Sequence, residues 1–261
     1  MYPHHQDTLA AVERVFADDP EVIALLLGGS IAHGYARETS DVDIMIVISS
    51  EAYARRQAED ATLYLNFELS TYEGGYVDGK YLDHAFLQQV AERGSEAARF
   101  AFKDAQIVFS RDDNLPALLA QITRYPVEKQ EANIRRFLAQ MNAWKWMAGE
   151  GRKHGNRYLI SRAVDNFILF ACRVILAHNQ RLYPFHKWML REVERCPDRP
   201  ADLLTRMDRL LDTHAADEME AIFTAVKATT PVTFDDPTWG RWFLRDSEQN
   251  WLHHEPPVAD L

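Results

Sequence analysis

The sequence predicts an α/β domain built on a mixed β-sheet and followed by an all-α helical bundle. Two observations carry that prediction. Up to about residue 125, short β-branched and aliphatic runs alternate with stretches of helical periodicity; from Pro126 onward, apolar residues recur only at helical spacing. The division implied is 1–125 for the α/β domain and 126–261 for the helical one.

Taken in order, Leu9, Val12, Val15 and Phe16 recur at helical spacing. The aliphatic run Val22–Leu27 reads as a buried strand that ends in Gly28, Gly29 and Ser30. Val42–Ile48 is a second strand, bounded by Ser49 and Ser50, and residues 62–69 and 80–87 read as two more. Asp78-Gly79 has the chemistry of a two-residue hairpin turn, which needs residues that tolerate positive φ, and would join Tyr76-Val77 to Lys80-Tyr81. Residues 106–109 supply a last strand, and Asp112 and Asp113 a helix start. Beyond Pro126, helices are expected over 127–148, 158–178, 186–195, 201–211 and 217–228, punctuated by Cys196-Pro197 and Arg199-Pro200. Residues 255–261 read as a frayed tail.

Composition narrows the function. With 47% hydrophobic and 26% charged residues and only 11 Gly and 11 Pro, disordered and fibrous readings are excluded. Against 39 Asp and Glu stand 29 Lys and Arg, so with a net charge of -10 no field of the kind that holds a phosphate polymer covers the whole surface, and nucleic acid is disfavoured as a partner, a local basic groove being left open. The first ten residues carry Asp7 and two histidines rather than an apolar run, and the stretch 167–177 is interrupted by Arg173, so neither export nor membrane insertion is expected. Cys172 and Cys196 lack metal-binding spacing and read as reduced thiols, which with the rest gives a cytoplasmic location.

The chemistry concentrates in residues 27–44. A glycine pair after a buried strand lets the backbone turn tightly and approach a ligand, and Ser30 can cap a short helix over 31–35 whose free amides would face an anion. Asp41 and Asp43 stand two apart at a strand start, so both carboxylates point to one face while Val42 and Ile44 point to the other. Paired hard oxygens suit Mg²⁺ held together with substrate phosphates. Either half alone is commonplace; together they point to phosphoryl or nucleotidyl transfer.

The stretch resembles the nucleotidyltransferase superfamily of the DNA polymerase β type. That pattern runs from hydrophobic-Gly-Ser through about ten residues to Asp-hydrophobic-Asp-hydrophobic, and Gly29-Ser30, ten intervening residues and Asp41-Val42-Asp43-Ile44 match it. Gly29, Ser30, Ala32 and Gly34, with Ser40 before Asp41, are similar to the bacterial branch that includes kanamycin- and streptomycin-modifying adenylyltransferases. The resemblance implies Mg²⁺ bound by Asp41 and Asp43, a triphosphate cradled at Gly28, Gly29 and Ser30, and a third carboxylate from a later strand. Asp83 is the candidate, as metal ligand or as proton acceptor, because the strand after the Asp78-Gly79 turn would neighbour the Asp41 strand; Glu68 and Glu73 compete. In the helical half, Lys187, with Arg181, His186 and Arg191 around Tyr183-Pro184-Phe185, could project cations toward that triphosphate. Arg173 and His178 stand at a spacing that resembles the Arg-x4-His motif of HEPN ribonucleases, one that a helix-rich chain supplies by chance. The activity implied is transfer of a nucleoside monophosphate, AMP from ATP, to a hydroxyl of a small-molecule acceptor such as an aminoglycoside. The rivals are a protein-AMPylating enzyme and an idle nucleotide-binding module.

Overall fold

The structure is a computed structural model that describes residues 1–234 and 236–253. Residues 255–261, read as a frayed tail, lie outside the described residues. The chain divides into two compact units, Met1–Arg124 and a second that begins at Tyr125.

The first unit carries, in chain order, α1 (Pro3–Ala17), β1 (Val22–Leu27), α2 (Gly29–Ala32), β2 (Val42–Ile48), α3 (Ser50–Ala58), β3 (Leu63–Asn66), β4 (Val77–Asp83), α4 (His84–Arg93), α5 (Glu96–Phe100), β5 (Gln106–Ser110) and α6 (Leu115–Thr123). Its five strands form a mixed sheet in the order β3-β4-β2-β1-β5, with β2 and β4 parallel and the other neighbours antiparallel. Both faces are covered, which is why β1 and β2 read as near-continuous aliphatic runs. On one face Leu25, Leu27, Ile44 and Ile46 pack against Val12 and Phe16 of α1 and Ala52 of α3. On the other, Ala24, Leu26, Val47 and Leu82 pack against Leu87 and Val90 of α4 and Leu115, Leu119 and Ile122 of α6.

Asp78-Gly79 is not a turn. β4 runs unbroken through both residues, Asp78 beside Asp43 and Leu65, Gly79 beside Ile44 and Tyr64. The glycine answers to close approach: a Cβ there would meet Ile44 Cγ1 at 2.6 Å and the Ile44 carbonyl oxygen at 2.7 Å. The strand expected over 80–87 stops at Asp83, whose carboxylate accepts from the Phe86 amide at 2.8 Å and starts α4. The strand expected over 62–69 shortens to β3 because the Asn66 side chain accepts from the Glu68 and Leu69 amides and turns the chain. Ser30 does not cap the short helix: it lies inside α2, with Gly28 at the N-cap and no side-chain cap bond. Two helices missing from the sequence reading, α3 and α5, do start at serine caps, Ser49 accepting from Ala52 and Ser95 from Ala98, each at 3.2 Å.

One buried cation staples α4, α5 and α6. Arg99 donates to the carbonyls of Gly94 (3.0 Å), Ala91 (2.7 Å), Ile122 (3.2 Å) and Gln121 (3.4 Å). Arg99→Leu orphans these buried acceptors and is expected to cost on the order of 3 kcal/mol, read as a lowered urea midpoint at unchanged slope.

The second unit is helical: α7 (Gln130–Lys153), α8 (Arg157–His178), α9 (Met189–Glu194), α10 (Leu203–Thr213), α11 (Ala216–Thr229) and α12 (Trp239–Asp246). α7 and α8 form an antiparallel pair; Gly155 takes φ +63 in the connection and Asn156 caps α8. The Gln130 amide at the start of α7 donates to the Ala177 carbonyl near the end of α8. The helix expected over 186–195 contracts to α9, since Phe185 sits at φ +63 and delays the helical start. Cys172 and Cys196 are free and buried, and burial pushes their thiols up to about 12 and about 11. No helix among the described residues is long and apolar enough to cross a membrane.

Candidate active site

The half of the sheet face beyond the reach of α4 and α6 holds the polar residues. Alternation along β2 puts Asp43 and Met45 on that face, and the parallel pairing with β4 sets Asp78 beside Asp43 and Lys80 beside Met45. Asp41 precedes β2 by one residue. One oxygen from each of Asp41, Asp43 and Asp78 lies within 4.8 Å of the other two. Asp41 and Asp43 are half-buried, Asp78 is exposed, and the donor set is entirely hard carboxylate oxygen, the type that divalent magnesium takes.

Two tyrosines hold the start of β2 in place. The Tyr72 hydroxyl donates to the Ser40 carbonyl, and the Tyr76 phenol donates to the Asp41 carboxylate. That hydrogen bond, reinforced by the Asp41 charge, holds the Tyr76 phenol above its ordinary pKa. For Tyr72, burial comes first and the Asp41 charge second, in the same direction.

Beside the carboxylates opens a cavity of about 320 Å³, lined by Gly28, Gly29, His33, Asp43, Asp78 and Lys80 among others. Gly29 has φ +58, and a Cβ there would fall 1.7 Å from Asp43 Oδ2, so this corner admits no side chain. The Gly28 amide donates to the Asp43 carbonyl at 2.9 Å and ties the turn to the strand. Ser30 is buried, and its hydroxyl has no hydrogen-bond partner among the described residues. Lys80 is half-buried at the cavity wall; burial lowers its pKa, and the Asp43 charge offsets part of that shift.

The structure brings together Asp41, Asp43, Gly28, Gly29 and Ser30 but not Asp83. Asp83 sits beside Ile48, at the opposite end of the β2–β4 pairing from Asp78, and is 6% exposed. Its carboxylate is occupied by the Phe86 amide and by the Ser50 hydroxyl at 2.9 Å. It is a helix cap, and Asp78 is the third carboxylate of the cluster. Glu68 and Glu73 are exposed in the segment after β3 and stand outside the cluster. Asp78 and Lys80 escaped the sequence reading for one reason: a strand running through Asp78-Gly79 would have set both on the Asp43 face by alternation.

In the helical unit, Lys187 is exposed with its ammonium 5.0 Å from the Trp188 ring. Arg181 is committed to an ion pair of 2.6 Å with the buried Glu192. The Arg173 guanidinium lies 4.3 Å from the rings of both Phe137 and Tyr183, a stacked position rather than one shared with His178.

Residues 11–114 match the family described as polymerase beta, nucleotidyltransferase. No curated protein matches the chain. Among solved structures, the chain is similar to a nucleotidyltransferase-like protein from Exiguobacterium sibiricum 255-15, at 11% identity over 94% of this chain and 80% of that one, with a TM-score of 0.48.

Proposed function

We propose, from the match of residues 11–114 to the polymerase beta, nucleotidyltransferase family, that the protein transfers a nucleoside monophosphate, AMP from ATP, to a hydroxyl of a small-molecule acceptor. The observation that carries the reading is the meeting of Asp41, Asp43 and Asp78 oxygens within 4.8 Å, beside a cavity whose glycine corner excludes side chains. In the reaction the acceptor oxygen bonds to the α-phosphorus, the bond from that phosphorus to the bridging oxygen breaks, and pyrophosphate leaves with the electron pair.

The three carboxylates would hold Mg²⁺, which when bound supplies charge neutralisation to the phosphate oxygens. The remaining work falls to the chain. Gly28 and Gly29 leave room for a phosphate against the backbone, and Lys80 offers it a cation from the cavity wall. Asp78, the exposed member, is placed to receive the acceptor's proton, while Tyr76 fixes the orientation of Asp41. A net charge of -10 suits a cationic acceptor such as an aminoglycoside.

The test is to incubate the protein with each labelled nucleoside triphosphate, Mg²⁺ and a panel of aminoglycosides, lincosamides and cell extract. Label is expected on a small molecule, with ATP as donor and pyrophosphate released in equal amount; label on protein, or none, overturns the reading. Within the same assay Ser30→Ala should weaken triphosphate binding only about three- to tenfold, one neutral hydrogen bond, since the backbone amide survives.

A further inference from the structure

The end strand of the sheet carries an exposed apolar strip. Leu63 and Leu65 of β3 are 80% and 59% exposed, and Phe67, just past the strand, is 66% exposed. The other face of the strand is packed: the Tyr64 ring lies 5.3 Å from that of Phe16 and 6.2 Å from that of Tyr81. Alternation therefore turns Leu63 and Leu65 to the opposite face, and the register fixes what they flank. Leu65 stands opposite Asp78 and Leu63 opposite Lys80 across the antiparallel β3–β4 pair. Leu63 lines the same cavity as Gly28, Gly29, Asp43 and Lys80. At the other end of the strip the Phe67 ring lies 5.7 Å from that of Tyr76, whose phenol donates to Asp41. End strands ordinarily show charge, because bare apolar edges invite other chains. Here three apolar side chains border the acidic cluster instead.

The order of the strands says which substrate meets the strip. The sheet runs β3-β4-β2-β1, so the glycine corner after β1 lies to one side of the Asp43–Asp78 pair and β3 to the other. Displacement at phosphorus is in line, with the attacking and leaving oxygens on opposite sides of the atom under attack. With the pyrophosphate end of the triphosphate on the glycine corner, the acceptor arrives over β3, past Asp78.

We infer that β3 is the acceptor platform of the transfer reaction, and that the acceptor is an alcohol with an apolar body, aliphatic or aromatic, laid across Leu63, Leu65 and Phe67. The inference rests on the transfer reading and narrows its acceptor. The hydroxyl oxygen bonds to the α-phosphorus, its proton passes to Asp78, and pyrophosphate leaves with the electron pair of the broken bond. A net charge of -10 draws a cation from a distance, whereas the body of the acceptor meets leucine and phenylalanine; an amphiphile that carries an amine satisfies both.

The full chain is incubated with ATP labelled at the α-phosphate, Mg²⁺ and ethanol, 1-butanol or 1-hexanol, and kcat/KM is read from labelled ester and released pyrophosphate. A methylene moved wholly out of water is worth about fourfold and one on an open platform about twofold, so 1-hexanol is expected to exceed ethanol about 15-fold. Leu65→Ser should remove most of that gain, and Leu65→Met, which keeps an apolar side chain, should retain it. Leu211→Ser, at another exposed leucine on α10, is the control and should give the parent's series. Rates independent of chain length, or a parent-like series in Leu65→Ser, overturn the platform and leave the transfer reading standing. Transfer to a compound of the wider acceptor panel that 1-hexanol neither joins nor inhibits does the same. A changed sedimentation coefficient in Leu65→Ser with an unaltered series assigns the strip to a second copy of the chain and also overturns the platform. No pyrophosphate release with any acceptor overturns the transfer reading and the platform with it.

Discussion

Asp43→Asn is expected to lower nucleotidyl transfer more than about 100-fold while leaving the thermal unfolding midpoint nearly unchanged. Groups that merely orient metal ligands are typically worth about 10- to 100-fold, and in the proposed site Asp43 would contribute a ligand charge directly. It is half-buried at the end of a strand whose core-facing neighbours, Val42 and Ile44, stay in place. Asp78→Asn should behave the same way. Asp83→Asn should not: asparagine caps α4 about as well as aspartate, so it leaves stability nearly unchanged and spares turnover. Steady-state rates with calorimetric melting of all three separate the assignments. If Asp83→Asn is the inactive variant and Asp78→Asn the active one, the cluster has been placed at the wrong end of β4.

Gly29→Val should be as severe by a different route. The residue sits at φ +58, where a β-branched side chain is strained, and its Cβ would coincide with the Asp43 carboxylate at 1.7 Å. The variant must move either the turn or the metal ligand, so binding of ATP with Mg²⁺ should fall at least about 100-fold. Gly34→Ala is the control. It shares a positive φ of +72 but has open space around the added methyl, so it should pay only backbone strain, about 1–2 kcal/mol of stability, and bind the triphosphate normally. Parent-like titration by Gly29→Val would place the phosphate cradle elsewhere.

These two predictions mark the boundary between what was legible in the chain and what was not. Asp41, Asp43 and the glycine pair could be read because their geometry is local: alternation within one strand and a turn directly after another. The strands β1 and β2 were legible because burial on both faces writes an unbroken aliphatic run. Asp78 was hidden because its role is set by a neighbour in space. Locally Asp-Gly favours a turn, and only the strands on both sides, β2 and β3, hold it extended. Reading a turn there also moved the search for a third carboxylate five positions on, to Asp83. A local signal did speak against that choice, since Asp83 precedes Leu87 and Val90 at helical spacing, the signature of an N-cap. The mixed-sheet-then-helical order, by contrast, followed from periodicity alone and needed no spatial partner.

The parallel pairing of β2 with β4 has a consequence for folding as well as for chemistry. Asp43 lies on β2, Asp41 one residue before it and Asp78 on the neighbouring β4, so a cation held by all three would act as a clasp across the seam of the sheet. A slip of one residue along that seam would turn Asp78 to the far face and undo the clasp. The unfolded chain has no such arrangement of oxygens, so occupancy of the cluster adds to the stability of the correctly aligned sheet alone. Under the proposed function, a bound cation would reward the alignment that brings the acids together against their mutual repulsion, and would join assembly of the sheet to readiness for catalysis.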